Sequence, residues 1–519
     1  MPENGIDKPF YVDLVTFKCY NKYMKNKTKK GHSLMLSQKD RQSQNNCSRI
    51  NSFFDKFKLG SIAKSCGFIK RNGIDVIYQL YMLIMYQFGI SKNVYALFNS
   101  RHANDIDSSR SAIYEFMSKP GLNWEKMHLK LALKLISEIK KINGTSVPGY
   151  LVVDDTTLMR MRSKCVELLA RNYDHVSGKF YKGFTELNIG WTDGISFIPL
   201  LIGILSAKKD ESVLHTVATK LRKNSLAAKR RELARMSKLD VLIKFVANAL
   251  DSGAPVSYIL MDSWFTMDKV IAPIKKMGLD VIGMVKDFKA NIFYENIGDD
   301  RYVTIKALIK KYAIKTRTDI CGSCVVYTKS QIPVKIVFIK NRNDNKTILS
   351  ILSTDISLSE KEIVTRYSYR WGCETQFHIK KQYLGFEKGC QARNFDHINA
   401  HCHMTSIRYM MMQYFERCDK DFRLGGQLFA DLCEELRAHD FTQALNYIFT
   451  SLESAIGKII TCQVKSAKKR AKMISEIHSL FCELFGSLSN YVKTFLSYDI
   501  RLRYEYSTKA NEGMLQAAT

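Results

Sequence analysis

The chain has 519 residues, of which 46% are hydrophobic and 25% are charged. This is the composition of an ordinary globular protein, so the chain can bury hydrophobic cores and is not mainly disordered. Lysine and arginine number 79 against 50 aspartates and glutamates, which gives a formal net charge of +29. Such an excess of positive charge indicates a polyanionic partner, either nucleic acid or an anionic membrane surface.

No membrane-spanning segment, secretory signal or disulfide framework is predicted. The longest apolar stretch, 76–90, is shorter than the roughly 18 residues that span a bilayer, and two glutamines interrupt it. The N-terminus lacks a basic start followed by an apolar core. The 13 cysteines are scattered along the chain, and the pair Cys321 and Cys324 has no second pair, so reduced thiols are favoured over a zinc site. These features predict a cytoplasmic protein without a membrane partner.

The sequence of residues 1–145 predicts a helical N-terminal domain that binds DNA. The segment Lys18–Lys30 carries six lysines and no acid, and it is either a solvated tail or an arm that lies on phosphates. Between 50 and 142, apolar residues recur at steps of three and four, which is the periodicity of helices.

A mixed α/β pattern begins at residue 146. The apolar run Tyr150–Asp154 and the later run Val256–Asp262 each predict a buried strand that ends in an acid, and Val281–Val285 predicts another strand. Two apolar runs around Thr192–Gly194 predict a β-hairpin. A long basic helix is expected over 211–250. The alternation of strands and helices predicts at least one parallel strand pair.

The predicted α/β core is interrupted once and followed by a helical tail. Residues 146–286 form its first part, and the short β-rich runs of 287–345 predict an all-β insertion. Residues 346–395 form the second part, in which the capping-box sequence Ser359–Glu362 opens a helix that runs to about Tyr383. Residues 396–519 predict a helical C-terminal region. Three separate basic surfaces are expected to contact DNA: Lys18–Lys30, Arg222–Lys238 and Lys465–Lys472.

Three acids are candidates for chemistry because of their positions. Asp154 and Asp262 each follow a predicted buried strand, and ligands of α/β folds bind at strand ends. Glu374 lies in the predicted helix after Ser359. Three carboxylates from separate segments suit a pair of Mg²⁺ ions about 4 Å apart across one phosphodiester.

One stripe of this predicted helix carries four polar side chains. Tyr367, Arg370, Glu374 and Lys381 are separated by three, four and seven residues, so they fall within roughly 60° of one another on a helix. The cations of the stripe would hold phosphates beside the acids. The alternative is an exposed stripe in which Arg370 and Glu374 form an ion pair one turn apart.

These residues resemble the DDE transposases of bacterial insertion sequences, in the group with a Tyr-Arg-Glu-Lys signature. That signature is tyrosine, two residues, arginine, three residues, glutamate, six residues and lysine, and the stripe matches it without a gap. The first acid of the family lies in an Asp-x-Thr-x-Leu context, which fits Asp154, with Asp155 as the alternative because it begins Asp-Thr-Thr. The second acid follows an apolar strand, as Asp262 does. A β-rich insertion before the glutamate is a further similarity.

The resemblance implies an RNase H-like catalytic core that cuts DNA at transposon ends and joins the 3′-hydroxyls to target DNA. It implies that Asp154, Asp262 and Glu374 hold two Mg²⁺ or Mn²⁺ ions, and that Tyr367, Arg370 and Lys381 contact the DNA backbone. Trp264 either stacks on an unpaired or flipped base or packs in the core. The implied partners are terminal inverted repeats, target DNA and a second copy of the chain, and the implied location is the bacterial nucleoid.

Two other functions stay open. A domesticated descendant would bind DNA without chemistry, but the three acids and the complete signature favour an enzyme. An RNase H-like nuclease would cut without joining, and it would use the same site.

Overall fold

The computed structural model describes residues 49–433, interrupted at 71, 89–90, 92, 100–107, 144–146, 175–177, 218–220, 290, 315–317, 342–346, 419–424 and 431, together with short stretches between 456 and 484. One compact unit comprises residues 53–84 and 110–428. The other takes in the described parts of 49–52, 85–109 and 429–484. The predicted arm Lys18–Lys30 lies outside the described residues. No helix in the described part is long and apolar enough to cross a membrane.

The first unit is built on a mixed sheet. Its strands follow the order β2-β3-β1-β5-β6-β11-β10-β9-β7-β8, and β4 pairs with β3. Strands β1, β5 and β6 are parallel, and the other pairs are antiparallel. The strands are β1 (Tyr150–Met159), β2 (Ala170–Asp174), β3 (Lys179–Thr192), β4 (Phe197–Leu205), β5 (Tyr258–Met261), β6 (Asp280–Val285), β7 (Ile292–Tyr294), β8 (Val303–Thr304), β9 (Ile320–Thr328), β10 (Pro333–Lys340) and β11 (Ile348–Ser353).

Most of the helices belong to the same unit as the sheet, whereas the helix Val94–Phe98 belongs to the second unit. The described chain before β1 is helical, as predicted, with α1 (Arg49–Lys56), α2 (Leu59–Ser65), α3 (Val76–Met85), α4 (Val94–Phe98), α5 (Arg110–Ser118) and α6 (Trp124–Asn143). The later helices are α7 (Leu226–Ala234), α8 (Lys238–Asp251), α9 (Asp268–Lys276), α10 (Ile305–Tyr312), α11 (Glu360–Ser368), α12 (Trp371–Gln382) and α13 (Phe395–Cys418).

Helix α6 joins the predicted N-terminal region to the sheet. Its stripe of Met127, Leu131, Leu135 and Ile139 is fully buried, because α6 packs against β4 and α13. Residues 110–143 therefore belong to the same compact unit as the sheet, although the sequence pattern grouped them with residues 1–145.

The parallel register of β1 and β5 positions two of the acids. Val153 lies opposite Met261, so Asp154 and Asp262 are the next residues on neighbouring strands. The preceding segment Tyr150–Val153 is buried, as expected of a central parallel strand. Strand β1 does not end at Asp154 as predicted, because its antiparallel partner β3 continues the ladder to Met159.

Two expectations about secondary structure are wrong. Residues 211–250 do not form one long helix, because Ser225 caps α7 and Ser237 caps α8, each by accepting a backbone N–H with its hydroxyl. The insertion 287–345 is not all-β, because it contains α10, which Thr304 caps. Its strands β9 and β10 extend the main sheet through β11.

The hairpin and the capping box are both confirmed. Strands β3 and β4 pair across Thr192–Gly194, where the left-handed φ of 91° at Gly194 suits a residue without a side chain. Ser359 and Glu362 form a capping box at the start of α11. Helix α11 ends at Ser368, and α12 begins three residues later, so the predicted helix to Tyr383 is interrupted at Tyr369 and Arg370.

Within the second unit, Asn93 caps α4 by accepting the N–H of Ala96 at 2.7 Å. Residues 471–480 are helical and mostly exposed. Lys468, Lys469 and Lys472 of the third basic cluster are exposed, and the neighbouring Lys465 lies outside the described residues.

Candidate active site

The three acids predicted from the sequence lie around one arginine. Arg370 donates from Nη1 to Oδ2 of Asp154 at 2.7 Å and from Nη2 to Oε1 of Glu374. Asp262 follows Met261, which lies opposite Val153, so it is next to Asp154; burial raises the pKa of both acids, and Arg370 partly offsets that effect. The structure therefore brings Asp154, Asp262 and Glu374 together, with Arg370 between two of them.

The interruption between α11 and α12 does not turn this part of the stripe away from the sheet. Tyr369 and Arg370 keep helical dihedral angles, and α12 then contacts β1. The Tyr367 ring lies 5.9 Å from the Arg370 guanidinium, and burial raises the pKa of its phenol to about 12. Tyr367 thus stays a neutral hydrogen-bond donor beside Arg370.

Burial dominates the electrostatics of the two strand acids. It raises the pKa of Asp154 to about 7, and Arg370 and the N–H of Asp155 only partly offset this effect. Burial also raises the pKa of Asp262, whose Oδ1 accepts the Trp264 N–H at 2.7 Å. Ionising these two buried carboxylates is therefore costly, and a positive charge placed beside them would stabilise their ionised forms.

Asp155, the alternative first acid, has a different partner. Its Oδ2 accepts a hydrogen bond from Lys238 Nζ at 2.8 Å, whereas Asp154 bonds to Arg370. Lys238 begins α8 and lies 5.9 Å from the Phe265 ring. The sequence placed Lys238 on a basic helix but gave no sign that it reaches the acids.

Lys381 lies at the far end of the stripe. Its ammonium contacts the hydroxyl of Thr157 at 3.2 Å and the carboxylate of Glu387 at 3.5 Å. Thr157 follows Asp154 by three residues on β1, so Lys381 stands beside the same strand as the acids. The preceding Lys380 is buried and pairs with Glu186 and Ser406.

Trp264 lies at the rim of the site. Its side chain is 43% exposed, so the alternative of a tryptophan packed in the core is wrong. The ring lies 5.6 Å from that of Phe288 at a tilt of 43°. Burial raises the pKa of Asp262, and the charge of Lys286 partly offsets this effect. Sequence reasoning missed Lys286, although it directly follows strand β6, just as Asp262 follows β5.

The basic surface predicted over Arg222–Lys238 needs correction. Arg230 and Arg231 are buried and form ion pairs with Glu125, Glu167 and Asp396. They stabilise the fold and are not available to DNA. Helical spacing alone did not reveal which of these cations face the protein interior.

Two family models match the chain. One is described as DDE superfamily endonuclease and matches residues 88–291, and the other is described as transposase DDE domain and matches residues 214–411. The chain belongs to the DDE superfamily of transposases and endonucleases. No curated protein matches the chain in sequence. The mixed sheet flanked by helices is consistent with the RNase H-like core expected from the resemblance.

As a DDE protein, the chain is a nuclease-type enzyme of the transposase kind, with DNA as its substrate and divalent metal as its cofactor. The donor set fits such a cofactor, since Asp154, Asp262 and Glu374 supply the hard oxygen ligands that Mg²⁺ and Mn²⁺ prefer. Among the described residues, however, no three His, Cys, Asp or Glu side chains are already grouped to hold a metal. Arg370 lies between Asp154 and Glu374 and hydrogen-bonds to both.

Proposed function

We propose that this DDE enzyme is a cut-and-paste transposase that binds transposon ends, cleaves them and joins the 3′-hydroxyls to target DNA. The observation that supports the proposal most is the convergence of Asp154, Asp262 and Glu374 around Arg370. The complete Tyr-Arg-Glu-Lys spacing on α11 and α12 supports it further.

The three acids would hold Mg²⁺ or Mn²⁺, two ions for each site. When bound, such ions activate water or a 3′-hydroxyl and stabilise the leaving oxygen. The carboxylate of Asp154 would act in its ionised form, and its backbone hydrogen bond from Asp155 helps to hold it in one orientation. Arg370 would release at least one carboxylate and turn towards a phosphate, for which its planar fork is suited.

The remaining signature residues would position the DNA. Tyr367 would donate its phenolic hydrogen to the backbone, and Lys381 would add a cation beside β1. The exposed ring of Trp264 would stack on an unpaired or flipped base, because an aromatic face accepts any base. Joining two ends to a target requires two copies of the chain in the end-joined complex.

The test is cleavage of duplexes that carry the ends of the element in the presence of Mg²⁺. We expect Asp154→Ala, Asp262→Ala and Glu374→Ala each to abolish cleavage and strand transfer while DNA binding persists, because the acids repel phosphates and do not attract them. Asp155→Ala is the matched control, since Asp155 bonds to Lys238 and not to Arg370. Cleavage by the Asp154 variant together with loss in the Asp155 variant would move the first ligand by one residue.

Strand transfer distinguishes the proposal from its alternatives. A nuclease would cut the ends and leave no joined product, and a domesticated DNA-binding protein would neither cut nor join. Either result would overturn the assignment as a transposase.

A further inference from the structure

Beyond the acids, parallel β5 ends and only antiparallel strands continue. Strand β1 pairs with parallel β5 only over Tyr150–Val153, but it continues alongside β3 until Met159 meets Gly183. From Gly183 outward, β3 pairs with β2 as far as Asp174 opposite Lys179. We call the described residues of 159–182 the ribbon. Its outer strands, β2 and the start of β3, extend the sheet from β3, the antiparallel partner of the strand that carries Asp154.

The outer part of the ribbon carries exposed aromatic rings beside cations. Tyr173 pairs with Phe180 across the strands, and Arg171 pairs with Lys182. Tyr173 is 45% exposed and Phe180 is 56% exposed, and their rings lie 5.1 Å apart. The Arg171 guanidinium lies 4.4 Å from the Phe180 ring. Residues directly opposite on neighbouring strands share a face, so each pair presents its two side chains together.

The ribbon is also strongly positive. Residues 159–182 contain six lysines and arginines against two acids, Glu167 and Asp174. Glu167 is buried and neutralised by Arg231, so it adds no negative charge to the surface. The exposed cations are Arg162, Lys164, Arg171 and Lys179.

The base of the ribbon is packed into the hydrophobic core. Leu158, Val166, Leu168 and Phe184 are buried in one hydrophobic cluster with Phe395 of α13. The apolar residues at the base are therefore core residues, whereas the two rings at the outer end are about half exposed. Exposed cations attract the phosphates of a nucleic acid, and exposed rings beside them can contact the sugar-phosphate backbone of a duplex.

Strand geometry gives the distance from the acids. Asp154 lies opposite Asn188 on β3, six residues from Lys182 and eight from Phe180. At about 3.3 Å per residue, these positions lie roughly 20 and 26 Å along the strand. Duplex DNA rises about 3.4 Å per base pair, so this span corresponds to about six to eight base pairs.

We propose that the ribbon binds duplex DNA about six to eight base pairs from the phosphodiester at the acids. This inference rests on the proposed function for the position of that phosphodiester. The duplex is either the transposon end itself or the DNA outside it. Both are duplex DNA with the same chemistry. Shortening the duplex on one side of the cleavage point at a time shows which of the two the ribbon contacts.

The test uses the full-length protein and labelled duplexes of the element's own ends. One duplex extends 15 base pairs to each side of the cleavage point, and two others are cut to 4 base pairs on one side. The ribbon variant Tyr173→Ala/Phe180→Ala removes the rings, and Arg171→Gln/Lys179→Gln removes two cations. The controls are Tyr302→Ala, an aromatic residue that is 59% exposed on another part of the sheet-bearing unit, and the exposed Lys310→Gln.

We expect shortening one side to weaken wild-type binding about tenfold, because the duplex no longer reaches the ribbon. Both ribbon variants should bind the long duplex about tenfold more weakly and lose this length dependence, and the cation variant should also show a shallower salt dependence. The controls should behave as wild type. The side whose shortening matters identifies transposon or outer DNA. Thermal unfolding at the wild-type temperature shows that the variants are folded.

Equal affinity and equal length dependence in wild type and ribbon variants would overturn the proposal. So would a ribbon variant that binds DNA normally but fails to associate with another protein chain. Failure of the proposed function is a separate result. If wild type neither cuts nor joins while the ribbon variants lose the length dependence, the ribbon still binds DNA and the transposase assignment fails.

Discussion

Arg370 and Arg230 each bridge two carboxylates, but their surroundings differ. The Arg230 side chain is 6% exposed, and it donates to Glu125, to Asp396 and to the carbonyls of Pro120 and Leu122. Each cluster has one glutamate about one-third exposed, Glu125 at 33% and Glu374 at 34%. The difference lies in the arginine and the aspartate: Arg370 and Asp154 are 17% and 16% exposed, whereas Asp396 of the first cluster is 3% exposed and the donors of Arg230 are filled.

This difference separates structural from exchangeable ion pairs. A buried arginine whose donors are all used cannot change partners without leaving unpaired charges in the interior. An arginine at an open site can exchange a carboxylate for a phosphate at little cost. The same residue types therefore serve stability around Arg230 and substrate binding around Arg370.

The largest effects should come from neutralising one acid in each cluster. Asp396→Asn should lower the free energy of unfolding by about 3–5 kcal/mol, because Arg230 and Arg231 both lose a buried carboxylate. Asp154→Asn should reduce cleavage at least about 10³-fold and leave stability nearly unchanged, because burial already raises the pKa of Asp154 to about 7. Denaturant unfolding and single-turnover cleavage measure the two effects. Comparable stability losses in both variants would show that the clusters are alike.

The adjacent lysines of α12 differ in the same way as the two arginines, one being buried and the other partly exposed. Lys380 is 1% exposed and pairs with the fully buried Glu186, so Lys380→Met should cost about 3 kcal/mol of unfolding free energy. Lys381 is one-third exposed, so Lys381→Met should leave stability intact and weaken DNA binding about tenfold. The double variant Glu186→Gln/Lys380→Met should recover part of the lost stability, because it leaves no buried charge unpaired. Stability loss in Lys381→Met would contradict this division.

Local patterns in the sequence predicted much of the fold. The hairpin at Thr192–Gly194 and the capping box at Ser359 depend on a few neighbouring residues, and both are present. The parallel strands that precede Asp154 and Asp262 are short apolar runs, and their pairing places these acids side by side. The stripe on α11 and α12 survives an interruption of the helix because Tyr369 and Arg370 keep helical angles.

Features that depend on distant partners were not predictable in the same way. Arg230 and Arg231 carry the same charge as their exposed neighbours, and only the acids contributed by α6, α13 and the loop before β2 show that they are buried. The contact between Lys238 and Asp155 joins residues 83 positions apart. Serine caps split the predicted helix over 211–250 because serine hydroxyls can end a helix that its apolar pattern would continue.

Buried histidines predict how stability depends on pH. Burial lowers the pKa of His128 to about 4 and that of His401 to about 3, whereas an unfolded chain titrates them near 6.5. The unfolded state then binds more protons, so stability is complete above about pH 6.5 and falls as pH drops towards 4. The loss for His128 alone should approach about 3 kcal/mol at pH 4. Denaturant unfolding from pH 7.5 to 4.5 measures the slope.

A matched control for this pH series is available on α12. His378 is exposed, so His378→Gln should leave the slope unchanged. A free energy of unfolding that stays flat between pH 6.5 and 4.5 would show that His128 and His401 are not held neutral by burial.

The smallest effect should come from Arg370→Lys. This variant tests whether Arg370 binds a DNA phosphate or orients the carboxylates that hold the metal. Lysine keeps the positive charge but loses the planar fork that spans Asp154 and Glu374. If Arg370 turns to phosphate, the variant should assemble the complex with transposon ends about tenfold more weakly, or about 1.4 kcal/mol. Its affinity for Mg²⁺ or Mn²⁺ should stay nearly intact, because the three carboxylates remain.

The two quantities are measured separately, by DNA binding without metal and by titration of Mn²⁺ without DNA. Arg366→Lys is the control, because Arg366 lies one turn earlier on α11, pairs with Glu362 at 3.4 Å and does not reach the acids. This control should match wild type in both titrations. If metal affinity collapses in Arg370→Lys while end binding persists, Arg370 orients Asp154 and Glu374 for the metal. The guanidinium would then be a fixed support like that of Arg230, and its proposed exchange of a carboxylate for phosphate would be wrong.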